Sequence, residues 1–97
     1  MSLKSFGEVI RERRELRGMM LRELASRLSV DTAILSKAER GERKLTKEQV
    51  IRLAAIIEIP EGELITLWLS DKVNKLLKDE PTAKDVLHLS LKYLSRK

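Results

Sequence analysis

The sequence predicts an all-α domain, and three observations carry this prediction. Glycine and proline, which interrupt helices, number only 4 and 2 among the 97 residues. Aromatic residues make up 3% of a chain that is 42% hydrophobic, so a core has to be built mainly from Leu, Ile, Val and Ala. Apolar residues also recur at intervals of three and four, as they do on the buried face of a helix.

The first three helices are predicted from apolar stripes and end signals. The first begins at Ser5-Phe6 and stops at Gly18. The second runs from about residue 20 to 28, and after a short break Asp31 caps a third helix that Gly41 ends. The residues predicted to form the apolar faces of the first two helices are Phe6, Val9, Ile10, Leu16, Leu21, Leu24, Ala25 and Leu28.

Three further helices are predicted downstream. Thr46 and Gln49 have capping-box spacing at the start of the fourth helix. Pro60 lies near the start of the fifth, which either continues to Lys78 or breaks at Ser70-Asp71, and a last helix begins near residue 82. The residues predicted to be packed are Val50, Leu53, Ala54 and Ile57 in the fourth helix and Val86, Leu87, Leu91 and Leu94 in the last.

The composition excludes several classes of protein. The chain has no cysteine, so it can form neither disulfides nor thiolate metal sites, which fits a reducing cytoplasm. No apolar run approaches the roughly twenty residues of a membrane-spanning helix. We find no catalytic triad, glycine-rich phosphate loop or paired-carboxylate motif, and His88 has no second metal ligand. We therefore expect a cytoplasmic, non-enzymatic protein without cofactor, metal, membrane partner or evident small-molecule ligand.

Positive charge is concentrated in the N-terminal half. The net charge is +5; residues 1–58 carry 13 Lys/Arg and 9 Asp/Glu, and residues 59–97 carry 7 and 6. The segment from Lys37 to Lys47 contains five basic residues and two acidic ones. A local basic cluster favours phosphate binding, although a charged face that contacts only water is the alternative.

The second and third helices contain the most informative motif, MLRELASRLSVDTAILSKAERGER. Two short helices are joined there by a tight turn. Ala25 lies where the helices cross, and Val30 and Leu35 fill the same small core. This pattern predicts helix-turn-helix geometry.

This motif resembles that of the Cro and phage-repressor class of helix-turn-helix regulators, often called the XRE family. The matching positions are Leu24-Ala25, Leu28, Val30, Leu35-Ser36 and Glu39-Arg40-Gly41. The flanking IRERRELRG and KEQVIRLAAIIEIPEGEL also match, so the resemblance covers about residues 6–69. It implies a five-helix, lambda-repressor-like domain that binds double-stranded DNA as a transcription regulator. We accordingly predict a DNA-binding domain over 1–69 and an extension of one or two helices over 70–97.

The third helix, at about residues 31–40, has a polar face that suits the major groove of DNA. Leu35 and Ala38 point inward, which leaves the opposite face available to base edges. By resemblance, the loop after this helix follows the phosphate backbone, where contacts give affinity and register. The predicted DNA-binding residues are Thr32, Ala33, Ser36, Lys37, Arg40, Arg43, Lys44 and, on the second helix, Arg22.

Other positions either follow the family pattern or depart from it. The resemblance implies a structural ion pair between Arg14 and Glu39, which would join the first helix to the third. Met20-Leu21 stand where the family usually has Ser or Thr followed by Gln, a residue that clamps phosphate. Ser29 replaces a frequent turn glycine, which is tolerable only if that backbone is not strongly left-handed.

The C-terminal part offers more apolar surface than a small domain needs. We predict that residues 61–95 form or support a homodimer interface, with a palindromic operator as the DNA target; the alternative is that residues 70–95 complete the core of one subunit. The predicted interface residues are Trp68, the candidate anchor, with Leu69, Val73, Leu76 and Leu77. Two rival functions remain: an antitoxin or adaptor whose C-terminal helices bind a partner protein, and a basic domain that binds nucleic acid without sequence preference.

Overall fold

The computed structural model describes residues 3–96, which form six helices and no strand. The predicted all-α fold is therefore confirmed. The helices are α1 (Phe6–Leu16), α2 (Leu21–Leu28), α3 (Thr32–Glu39), α4 (Lys47–Ile57), α5 (Glu61–Leu77) and α6 (Ala83–Leu94). Within the same residues, none of these helices is both long enough and apolar enough to cross a membrane.

The first five helices, α1 through α5, share one hydrophobic core. The predicted inward faces of α2 and α4 are largely confirmed, because every member is buried except Leu21, which is half-buried at the edge. Burying a large aliphatic side chain contributes about 1.5–3 kcal/mol, so these contacts dominate the stability of the domain. The large side chains that are fully buried are Ile10, Leu24, Leu28, Leu35, Val50, Leu53, Ile57 and Leu64.

Capping boxes begin α1 and α4. The Ser5 hydroxyl accepts from the Glu8 backbone N–H at 3.2 Å, and the Glu8 carboxylate accepts from the Ser5 N–H at 2.8 Å. This hydrogen bond to the Ser5 backbone lowers the pKa of Glu8. Thr46 and Gln49 form the same reciprocal pair at 3.2 and 2.8 Å, as predicted.

The end of α1 differs from the prediction. Leu16 was expected on the apolar stripe but is 78% exposed. The Arg13 guanidinium donates to the carbonyls of Ile57 and Glu58 at 2.9 and 2.8 Å, so the C-terminus of α4 meets α1 at this arginine. Leu16 lies almost one turn further along and lines an open groove with Ile59.

Helix α5 is continuous, so the alternative of a break at Ser70-Asp71 is wrong. The predicted division after residue 69 therefore falls inside a helix. The buried residues of α5 are Leu64 and Trp68, and the helix then continues for more than two turns beyond the core.

Helix α6 starts beyond the edge of the core and does not complete it. Each of its residues is exposed except Ala83, which is half-buried. The alternative that this segment completes the core of one subunit is wrong for α6, because the packed face expected on this helix is exposed in the single subunit. The residues of that expected packed face are Val86, Leu87, Leu91 and Leu94.

Candidate nucleic-acid interface

A tight left-handed turn sets the position of α3 against α2. Ser29 has φ 60° and ψ 41°, and its N–H donates to the carbonyls of Ala25 and Ser26. The Val30 N–H also donates to the Ala25 carbonyl, at 3.0 Å. The condition for tolerating serine at this position, a backbone that is not strongly left-handed, is therefore not met. Serine is tolerated there because these hydrogen bonds compensate for an unfavourable conformation.

A buried ion pair fixes α3 to α1. Arg14 Nε and Nη2 donate to the two Glu39 carboxylate oxygens at 2.8 and 3.1 Å, and Arg14 Nη1 donates to the Met19 carbonyl at 2.9 Å. The two side chains are only 11% and 6% exposed. The hydrogen bond to Glu39 raises the pKa of Arg14. This bidentate pair has the structural geometry that the resemblance implies, and it lies away from the polar face of α3.

Gly7 brings the start of α1 against the end of α3. A Cβ at this position would lie 2.4 Å from the Glu39 carbonyl oxygen and 2.8 Å from that of Ala38. Only glycine permits this approach, because both neighbours are backbone atoms that cannot swing aside. Sequence reasoning missed this contact, since the glycine lies inside an ordinary helical pattern.

The polar face of α3 is accessible, but its residues differ in how they are engaged. Thr32, Ala33 and Lys37 are exposed, and Ser36 is half-buried. The exposed Arg40 guanidinium donates to the Ser36 hydroxyl at 2.7 Å and to the Glu42 carboxylate at 3.0 Å.

The arginine hydrogen bond lowers the pKa of Glu42. The carboxylate also lies beside the Arg40 guanidinium and offsets part of its charge. Spacing along the helix correctly placed Arg40 on the polar face, but it did not reveal this intramolecular pairing.

The other predicted DNA-binding residues flank α3. Arg43 and Lys44 are exposed in the loop between α3 and α4, and Arg22 is exposed in the first turn of α2. The Glu23 carboxylate accepts from the Met20 N–H at 3.3 Å, which compensates in part for the missing polar cap of α2.

Comparison with known protein families identifies the family of this chain. A helix-turn-helix family model matches residues 10–64, which is more than half of the chain. The protein belongs to the helix-turn-helix family. The match spans α2, α3 and α4 completely, and it confirms the resemblance to Cro and XRE-type regulators. Comparisons with curated proteins and with solved structures found no match.

Membership of this family makes the chain a DNA-binding regulator of transcription. The chemistry of the polar face agrees, because hydroxyls, a methyl group and an ammonium can all contact base edges. Residues 3–96 contain no group of three or more His, Asp or Glu residues arranged to hold a metal ion.

Two lysines of this helix-turn-helix protein that sequence reasoning did not single out lie beside the loop between α3 and α4. Lys75 Nζ on α5 donates to the Gly41 carbonyl at 2.9 Å. The Lys72 ammonium lies 3.5 Å from the centroid of the Trp68 indole. The Lys75 contact was not foreseeable, because it joins positions 34 apart in the sequence that only the fold brings together. The Lys72 contact has the i, i+4 spacing of one helix, which the sequence does contain.

The predicted interface residues of the C-terminal part fall into two groups. Leu69, Val73 and Leu76 are exposed on α5, whereas Leu77 is half-buried. Trp68 is only 8% exposed and belongs to the core of the subunit, so its ring is not available as a surface anchor. Its indole N–H is buried and has no acceptor among the described residues.

Proposed function

We propose that this helix-turn-helix protein is a sequence-specific transcription regulator that binds a palindromic operator as a homodimer. Helix α3 would lie in the major groove of each half-site. The observation that carries the proposal is the accessible face of Thr32, Ala33 and Lys37 on α3. The buried ion pair between Arg14 and Glu39 fixes this helix to α1 on its other side. Rigid support favours specific recognition, because base contacts require a defined distance and orientation.

The exposed residues divide into base-reading and phosphate-binding groups. Lys37 can donate to guanine O6 and N7, and the methyl groups of Thr32 and Ala33 can contact thymine. Arg43 and Lys44, in the loop after α3, would bind phosphates and set the register of the protein on the duplex. Arg22 would contribute a further phosphate contact from α2.

Arg40 has a different role in this proposal. Its guanidinium holds the Ser36 hydroxyl at 2.7 Å and the Glu42 carboxylate at 3.0 Å. It therefore orients Ser36 toward the groove and contributes less to phosphate attraction than its formal charge suggests.

The homodimer would form through α5 and α6. Apolar side chains on both helices are exposed in the single subunit, and exposed apolar side chains in this number favour an interaction surface. A second copy of the chain is the partner that a palindromic site requires, since one helix-turn-helix unit reads one half-site. The exposed side chains are Leu69, Val73 and Leu76 on α5 and Val86, Leu87, Leu89, Leu91, Tyr93 and Leu94 on α6.

A second candidate function rests on the same exposed apolar surface. An antitoxin or adaptor would use α5 and α6 to bind a different protein, and its DNA binding would then serve autoregulation. This reading predicts that the isolated protein is monomeric and that the partner covers α6.

Selection of bound sequences from random duplex DNA tests the main proposal. We expect an enriched sequence with two-fold symmetry. Lys37→Ala should change the enriched bases and lower the affinity for the wild-type operator by about 1–3 kcal/mol. Arg43→Ala should weaken binding to operator and random duplex alike, because phosphate contacts carry no sequence information.

Lys92→Ala, on α6, is the charge-matched control and should leave the selected bases unchanged. No enrichment over random duplex would contradict the proposal and favour unspecific binding. An unchanged preference in Lys37→Ala would show that α3 does not read the bases through this face.

A further inference from the structure

We propose that Lys72 and Lys75 of α5 bind DNA phosphates, so that the phosphate-binding surface extends from the α3–α4 loop onto α5. This inference rests on the proposed mode of DNA binding, because it assumes that the loop containing Arg43 and Lys44 approaches the phosphate backbone. It adds two residues outside the region 10–64 that the family model matches.

The two lysines and the two loop residues line one crevice. Lys72, Lys75, Arg43 and Lys44 contribute to its wall, and Trp68 contributes as well. The bond from Lys75 Nζ to the Gly41 carbonyl places this ammonium directly at the loop, two residues from Arg43. A phosphate that reaches Arg43 or Lys44 from outside would therefore come close to the cations of α5.

The charges of the crevice are not neutralised internally. Among the described residues, no ion pair includes Lys72, Lys75, Arg43 or Lys44. Arg40, by contrast, which is also near the loop, is paired with Glu42. The carboxylate of the crevice is Asp71, and one of its oxygens accepts from the Phe6 N–H at 2.9 Å. Four cations and one engaged carboxylate leave a net positive site.

The lysine ammoniums are also held in place before DNA arrives. The Trp68 ring attracts the Lys72 ammonium through a cation–π contact at 3.5 Å. The Gly41 carbonyl takes one of the three donors of Lys75 and leaves two for phosphate oxygens. Pre-ordered cations lose less side-chain freedom on binding than freely rotating lysines.

The alternative is that Lys75 only fixes the loop and Lys72 only covers the indole. The salt dependence of DNA affinity separates the two roles. A lysine that neutralises a phosphate contributes ~0.9 to the slope of log K against log salt concentration, whereas a purely structural lysine changes the affinity without changing this slope.

The experiment measures this slope for wild type, Lys72→Gln and Lys75→Gln on the selected operator and on random duplex. We expect the slope to fall by about one for each variant on both duplexes. Lys92→Gln, which removes the same charge from α6, should keep the wild-type slope. Lys72→Arg and Lys75→Arg retain the charge and should also retain the slope, even if their affinity changes.

Slopes of Lys72→Gln and Lys75→Gln equal to that of wild type would overturn the inference. Thermal unfolding of each variant identifies the ones that remain folded. If a glutamine variant unfolds, Lys72→Met or Lys75→Met, which keeps the aliphatic stem without the charge, provides the test, since an unchanged slope in it would equally overturn the inference. A wild type that does not discriminate operator from random duplex would contradict the proposed function, but the slopes on random duplex would still test the two lysines.

Discussion

At the scale of single residues, Gly7 is the glycine at which one added methyl group would meet other atoms of the protein. Alanine would gain about 1 kcal/mol in helix propensity. Its Cβ, however, would lie 2.4 Å from the Glu39 carbonyl oxygen, and α1 would have to move away from α3. We expect Gly7→Ala to destabilise the protein by about 1–3 kcal/mol, as overpacking of a core does, measured by urea unfolding.

Gly62 provides the matched control. It also lies in the first turn of a helix, but a Cβ there would have no atom within 4 Å. Gly62→Ala should therefore stabilise the protein by about 0.5–1 kcal/mol. Equal effects of the two substitutions would show that α1 and α3 are farther apart at Gly7 than in the structure.

Single residues also show where sequence reasoning reaches its limit. The ion pair of Arg14 and Glu39 came from the family resemblance, because no local pattern joins residues 25 positions apart. The roles of Arg13 at the end of α4 and of Asp71 at the start of α1 were missed for the same reason. Such contacts depend on how helices are placed, which spacing along one helix does not encode.

At the scale of elements, the turn between α2 and α3 carries strain that a single substitution can relieve. An L-residue in the left-handed conformation is unfavourable by about 1–2 kcal/mol, and glycine avoids most of this while adding freedom to the unfolded chain. We expect Ser29→Gly to stabilise the protein by about 0.5–1 kcal/mol, measured as a higher midpoint of urea unfolding with an unchanged slope.

Ser26→Gly is the control for this element, because Ser26 is exposed in the middle of α2 and has helical backbone. Glycine there should destabilise the protein by a few tenths of a kcal/mol to about 1 kcal/mol. If Ser29→Gly were equally destabilising, the hydroxyl of Ser29 would have a role that its backbone conformation does not explain.

Most helix boundaries were predictable because the signals for them are local. Capping boxes at Ser5 and Thr46 and glycines at the ends of α1 and α3 each act within one turn. The periodicity of α6 was also read correctly as a helix, but it left open which chain covers the apolar face. An amphipathic pattern shows that an apolar face exists, and it does not say whether the same subunit covers it.

At the scale of the whole molecule, α5 connects two surfaces with different chemistry. One side of the helix carries Lys72 and Lys75 beside the loop between α3 and α4, and another side exposes Leu69, Val73 and Leu76. A dimer formed through the apolar side would fix the relative orientation of two cationic surfaces. The spacing of operator half-sites would then depend on how α5 and α6 pack between subunits.

The homodimer can be tested without disturbing the core. Leu91 on α6 and Leu76 on α5 are 65% and 76% exposed in one subunit, so a glutamate at either position should leave the fold of that subunit intact. In the dimer it would place a charge in an apolar interface, which has to bury roughly 800 Å² on each partner to be stable. We expect a dimeric wild type at micromolar concentration and monomeric Leu91→Glu and Leu76→Glu in sedimentation equilibrium.

Leu16→Glu is the control for this comparison, because Leu16 is 78% exposed but lies on α1, outside the apolar surface of α5 and α6. It should remain dimeric. Trp68→Ala would be a poor probe, since removal of a core indole destabilises a domain by about 3–5 kcal/mol and would mix unfolding with dissociation. A wild type that is monomeric at micromolar concentration would contradict the homodimer and leave a different protein as the partner that covers α6.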